Sequence, residues 1–349
     1  MLGIKLDSLH SLNKLSLKRQ GYDPFIDFLK GVCIIFVTIN HSMPEKIMYY
    51  TFFFFWGISA VPIFLLIQVF HAYKKGIDNA KINYRRLWNK IIWPFFLCEL
   101  IIFIILIIKK QHTHFPQIVS DLLSLIKSGG YGPGAYYPWI YIQFAFLLPF
   151  IAPIFRLPRY ILCTLFIIIS QITESLCSYY GMPQLVYRLL IIRYIFIFYL
   201  GFVLAYKGFV LNTFTLFLSS TCLVTTAFIV YSQCVFSPIL YTFINPVCHW
   251  FCYIYIAYLL LFILKLLYSY LLKSTIFTNF IIKAGRFSYE IFMIQMFYFA
   301  TTDDSITKFL DNHIESSVLY ALSKILIPLI ICITPVFIYK KYVNSKHPL

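Results

Sequence analysis

Along most of the chain, apolar stretches of about 17 to 25 residues alternate with short polar breaks, and that is the length a helix needs to cross about 30 Å of hydrocarbon. They lie at 25–42, 49–71, 91–109, 137–155, 160–178, 187–206, 210–231, 247–270, 279–300 and 318–339. The pattern predicts an all-α integral membrane protein with about ten transmembrane helices, because only a helix satisfies its own backbone polar groups within a single segment in lipid. The boundaries are least defined at 235–250, where Pro238 and Pro246 interrupt an apolar stretch, and at 265–290, which Lys265, Lys273, Lys283 and Arg286 puncture. No internal repeat, low-complexity tract or appended soluble domain is visible, so residues 1–349 read as one membrane domain.

Composition agrees with this pattern. The chain is 60% hydrophobic and 12% charged, whereas a soluble domain carries about 25% charged residues. A polar segment precedes the first apolar run and no small-residue cleavage site follows it, so that run is expected to be retained as a span and not removed as a signal peptide. With both termini cytoplasmic, the basic residues concentrate on the inner side and leave Lys46, Lys109, Lys110, Lys127 and Lys308 outside, as the positive-inside rule requires. This accounts for most of the +16 net charge, so no nucleic-acid partner is implied. The glycine-rich "KSGGYGPGAYYPW" and the acidic "TTDDSITKFLDNHIE" then fall outside.

The nine cysteines are scattered singly through apolar runs, and Cys248 and Cys252 have no CxxC spacing. The eight histidines form no HxxxH pattern. No metal site is expected.

The first span, "DFLKGVCIIFVTINH", carries Asp27, Lys30 and His41. At about 100° per residue, His41 lies about 20° past a whole number of turns from Lys30, and the step from Asp27 falls about 40° short of one. All three share one stripe, with Lys30 and His41 about 16 Å apart along the axis. Two readings stay open. Asp27 and Lys30 pair at the helix start while His41 caps the other end, or the stripe faces a cavity, as intramembrane ionisable groups usually do.

A second constellation is the basic loop "HAYKKGIDNAKINYRRLWNKIIWPFF", whose Arg85, Arg86 and Lys90 precede Pro94 at the mouth of the third span. Such a cluster suits phosphates, and it also suits ordinary topology with contact to lipid headgroups. Within the spans, Glu99 and Arg193 are candidates for lining a cavity, while His249 beside Trp250 reads as interfacial.

These residues resemble the acyltransferase 3 family of bacterial membrane proteins. The likeness rests on a basic residue, ten intervening residues and histidine in "KGVCIIFVTINH", preceded by "DPFIDFLKG". It extends through "RRLWNKIIWPFF", "YYPWIYIQFAFLLPFI", "RYIFIFYLG" and "GRFSYEIFMIQMF". Two departures stand out. Arg85 and Arg86 followed by Lys90 replace the family's two arginines separated by two residues, and Gln295 stands where the family often has histidine.

The resemblance implies a multi-pass protein of the bacterial cytoplasmic membrane. It would move an acyl group, with acetyl expected, from cytoplasmic acyl-CoA to a hydroxyl of an extracytoplasmic polysaccharide or lipid-linked glycan. Acyl-CoA, acetyl-CoA in the simplest case, would be a co-substrate and no cofactor would be held permanently. Under that reading Arg85, Arg86 and Lys90 hold the donor, and Asp27 orients or neutralises Lys30. His41 acts as general base or carries the acyl group itself, since an imidazole with a pKa near 6.5 suits proton transfer at neutral pH. The competing function is a transporter or flippase for a glycan or lipid-linked intermediate, which also needs a polar intramembrane path.

Overall fold

The computed structural model describes residues 23–51, 53–74, 83–110, 115–151, 153–154, 157–208, 248–271 and 275–346, with isolated positions between 213 and 224. Among these residues every regular element is helical. The seventh expected span, 210–231, falls almost wholly outside them.

Helix α1 (Pro24–Ser42) starts where Asp23 accepts the Phe25 amide at 3.0 Å with Pro24 in the first turn, and it stops where Met43 turns extended. The apolar run expected as one span at 49–71 is broken into α2 (Glu45–Tyr50), α3 (Phe53–Ile58) and α4 (Ala60–Tyr73). The break falls beside Gly57, where a Cβ would lie 2.7 Å from Phe53 Cε1 and 3.0 Å from Asn40 Oδ1, so α3 leans directly on α1.

Next comes α5 (Tyr84–Leu87), a π turn at Trp88–Ile92 and α6 (Trp93–Lys110). Pro94 has no N–H to give, and the ladder widens just before it so that Trp93 donates to Trp88. Helices α7 (Phe115–Ser128), α8 (Tyr136–Ile151) and α9 (Arg159–Tyr179) follow. The sixth expected span is split into α10 (Gln184–Leu189), a 3-10 turn at Ile191–Tyr194 and α11 (Ile195–Lys207). After α12 (Cys248–Leu271), the ninth is split at Phe287 into α13 (Thr275–Arg286) and α14 (Ser288–Thr301). Two further helices, α15 (Asp303–His313) and α16 (Ser317–Lys346), complete the fold.

Three helices are long and apolar enough to cross a membrane: Pro24–Ser42, Tyr84–Lys109 and Ser317–Tyr339. The second and third turn large apolar side chains outward, among them Leu100, Ile104, Ile108, Leu322 and Ile330. An outward apolar face of this extent suits lipid. Helix α1 is instead packed on several sides, touching α3, α4, α12, α13, α14 and α16. Phe25 and Phe28 meet Tyr268 of α12 with ring centroids 5.3 and 5.1 Å apart.

The basic residues that puncture 265–290 have partners. Lys265 lies over the Phe25 ring at 4.3 Å, Lys283 over Phe337 at 4.5 Å, and Arg286 reaches Asp27. Buried aromatic faces and one carboxylate thus let charged residues sit within the helices.

Candidate functional site

The two ends of α1 carry different chemistry. At its start Asp27 is buried, and it accepts from Lys30 Nζ at 3.1 Å and lies 3.5 Å from Arg286 Nε. Helix α4 runs antiparallel and brings His71 and Lys74 to the same end, where His71 also feels the charges of Lys30, Asp27 and Arg86. Arg86 is set at its turn by its own amide, which donates to Asn83 Oδ1 at 2.9 Å, and its charge reaches Tyr141 of α8. Arg85 and Lys90 are exposed on the same short stretch. The result is a mouth with more positive than negative charge, the arrangement that receives phosphates.

At the other end His41 is enclosed by protein, yet its side chain keeps accessible surface. It is a half-buried imidazole at the end of α1. Its ring meets Phe299 of α14 edge-on with centroids 5.9 Å apart, and Arg188 of α10 is close enough for its charge to act on the imidazole. The Arg188 guanidinium lies over the Tyr136 ring at 5.6 Å, and its Nε is buried without a partner.

Tyrosines of α8 join the two ends. Tyr136, Tyr137 and Tyr141 are half-buried on α8. Tyr141 is within electrostatic reach of Arg86, its ring lies 6.2 Å from that of Tyr137, and neighbouring Tyr136 carries Arg188. A polar and aromatic series thus runs from Arg86 through Tyr141, Tyr137 and Tyr136 to Arg188 and His41. It covers the about 16 Å that α1 puts between Lys30 and His41.

Glu99 and Arg193 sit elsewhere. Arg193 is 3% exposed, donates to the Tyr187 carbonyl at 3.3 Å and packs over the rings of Tyr187 and Tyr194 at 3.8 and 4.8 Å. Glu99 is 5% exposed and accepts the Tyr131 amide at 2.8 Å. It anchors the glycine-rich loop Gly129–Ala135. Gln295 is fully buried against α1, where Thr38 Oγ1 donates to its Oε1 at 3.3 Å.

That loop, expected on the outer side of the membrane, is tied to α6 through Glu99 and lies against Met296 of α14. Gly129, Gly130, Gly132 and Gly134 all have positive φ, which other L-residues adopt only at a cost. The backbone is accounted for locally, as burial demands. Gly130 N donates to Leu125 O at 3.1 Å, Tyr137 N to Gly134 O at 2.8 Å, and Trp139 Nε1 to Gly129 O at 2.7 Å. A Cβ on Gly132 would lie 2.8 Å from the Met296 carbonyl oxygen. Gly132→Ala is therefore expected to destabilise the protein by about 2 kcal/mol from backbone strain and overpacking together. A detergent melting curve checks this, and an unchanged midpoint would mean that Gly132 does not pack against Met296.

Arg188, His71 and Arg286 were not singled out by sequence reasoning. Arg188 lies at the edge of an expected span, five residues before Arg193, and two arginines so placed were the available signal. Comparison with family models, curated proteins and solved structures finds no match.

Proposed function

We propose that this chain is a membrane O-acyltransferase of the acyltransferase 3 type. It crosses the bacterial cytoplasmic membrane about ten times with both termini cytoplasmic. It moves an acyl group, acetyl in the simplest case, from cytoplasmic acyl-CoA to a hydroxyl of a surface polysaccharide or lipid-linked glycan. The observation that carries this reading is the division of labour along α1: a basic end at Lys30 and a half-buried imidazole at His41, with tyrosines between.

In the proposed reaction the donor's phosphates lie among Lys30, His71, Lys74 and Arg86, and its narrow pantetheine arm follows the tyrosines inward. The acceptor oxygen attacks the thioester carbonyl carbon as His41 takes the hydroxyl proton. The tetrahedral intermediate collapses with cleavage of the C–S bond, and the CoA thiolate leaves and recovers the proton from the imidazolium. In the two-step variant an imidazole nitrogen attacks the thioester carbonyl carbon and the C–S bond breaks, releasing the CoA thiolate with the ring's proton; the acceptor oxygen then attacks the acyl carbon, the C–N bond breaks, and the hydroxyl proton returns to the imidazole.

The test is acyl transfer by the purified chain. Labelled acetyl-CoA should yield a base-labile ester on an envelope glycan, and cells lacking the chain should lose that O-acetyl signal by NMR before and after mild base. Replacing Arg86 and Lys90 together by alanine is expected to raise the acyl-CoA requirement about tenfold or more, as loss of charge-assisted contacts does, with the acceptor requirement unchanged. Equal weakening for both substrates would assign the basic loop to topology.

One observation favours a second reading, a glycan transporter or flippase: the unwound Gly129–Ala135 segment between α7 and α8 is of the kind transporters use at their binding sites. Substrate movement across vesicles without any ester formed from acetyl-CoA would select it.

A further inference from the structure

We propose that the acceptor carries an anionic group, a phosphate or a carboxylate, and that Arg188 binds it beside His41. The inference rests on the acyltransferase reading above and adds the chemical class of its substrate.

Other cations described at the bundle's ends have partners. Arg286 and Lys30 share Asp27, Lys324 lies 3.7 Å from Asp303, and Arg193 donates to the Tyr187 carbonyl. Arg188 differs. Its backbone carbonyl accepts from the Tyr194 hydroxyl at 3.4 Å, but its guanidinium meets only the Tyr136 ring, its Nε is buried without a partner, and no described carboxylate pairs with it. An aromatic face attracts a cation without neutralising it. A guanidinium stays charged at any physiological pH, so a half-buried one with no counter-charge among the described residues is suited to binding an anion.

The proposed chemistry points the same way. As His41 takes the hydroxyl proton it becomes a second cation near Arg188, and like charges repel. An anion held by Arg188 offsets the repulsion. It is not the donor's nucleotide, because that end of acyl-CoA belongs at the mouth about 16 Å away along α1. The guanidinium fork matches the paired oxygens of a phosphate or carboxylate, as found in a lipid-linked glycan phosphate or in a uronic acid residue.

The test uses the purified full-length protein and compares glucose 1-phosphate, glucuronate and neutral glucose as probes in melting experiments, with ADP as the probe of the donor mouth. The expected result is a rise of several degrees with one or both anionic sugars and none with glucose. Arg188→Gln should lose the shift and Arg188→Lys should keep part of it, while ADP binding is unchanged in both; the ligand-free midpoints of the two variants establish that they fold. A phosphate-only response identifies a glycan phosphate as the source, and a glucuronate-only response an acidic sugar. The proposal is overturned if neither anion shifts wild type, if glucose shifts it equally, if Arg188→Gln keeps the shift, or if Arg188→Gln loses ADP binding instead. If the shift depends on Arg188 but wild type forms no ester from acetyl-CoA, the anion site stands and the acyltransferase reading falls.

Discussion

His41→Ala is expected to abolish acyl transfer while leaving membrane insertion and abundance intact. Loss of a positioned general base costs about 100- to 10,000-fold, and loss of an acyl carrier removes the two-step route entirely. The fold should tolerate the change. Among the described contacts of the imidazole, its packing partner is Phe299, with rings 5.9 Å apart, and the residue is only half-buried. Truncation therefore removes a ring edge without leaving a buried donor or acceptor unpaired. Two measurements decide the outcome, ester formation from labelled acetyl-CoA and the amount of monodisperse protein extracted from membranes. Substantial transfer by a well-extracted His41→Ala protein would sink the mechanism. A His41→Ala protein that transfers nothing but also fails to accumulate would assign the histidine to packing, a role its half-buried position does not suggest.

The parts of this arrangement legible in the sequence are those that one helix determines by itself. The stripe of Asp27, Lys30 and His41 follows from the helical period, and the 3.1 Å Asp27–Lys30 pair is an i,i+3 contact of the same helix. What the sequence hid depends on how helices cross. Arg286 reaches Asp27 only because α13 lies against α1, and Arg188 comes near His41 through the packing of α10 against α8. Hydropathy averages over a window, so it joins α2, α3 and α4 into one run and misses the break beside Gly57. It also reads the glycines at 129–134 only as a polar connection, because turn residues do not show that a buried Glu99 ties the loop to the helices. The positive φ of four glycines in that segment is a backbone requirement at which composition merely hints.

The second large effect should be structural. Gly285→Ala is expected to prevent normal accumulation of the protein, because α1 and α13 cross with their backbones in contact. A Cβ at Gly285 would run into the Asp27 carbonyl oxygen and lie 2.7 Å from Gly31 N, and one at Gly31 would run into the Ile281 carbonyl oxygen. These obstacles are main chain, so no rotamer change relieves them. The helices must separate, and small residues at such crossings are what permit close approach in membrane proteins. Separation also pulls Arg286, the next residue, away from Asp27, leaving a buried carboxylate with less of its counter-charge. Overpacking a tight core costs about 1–3 kcal/mol, and with the ion pair disturbed as well the expected loss is about 3 kcal/mol or more, a large part of ordinary stability. Gly181→Ala is the control. Gly181 has φ 56°, and a Cβ added there would meet nothing within 4 Å, so its substitution carries only the left-handed backbone cost of about 1–2 kcal/mol. Extraction yield and melting midpoint should therefore fall much further for Gly285→Ala than for Gly181→Ala. Equal midpoints for the two variants would mean that α1 and α13 do not cross at Gly31 and Gly285, and the basic mouth built on that crossing would have to be redrawn.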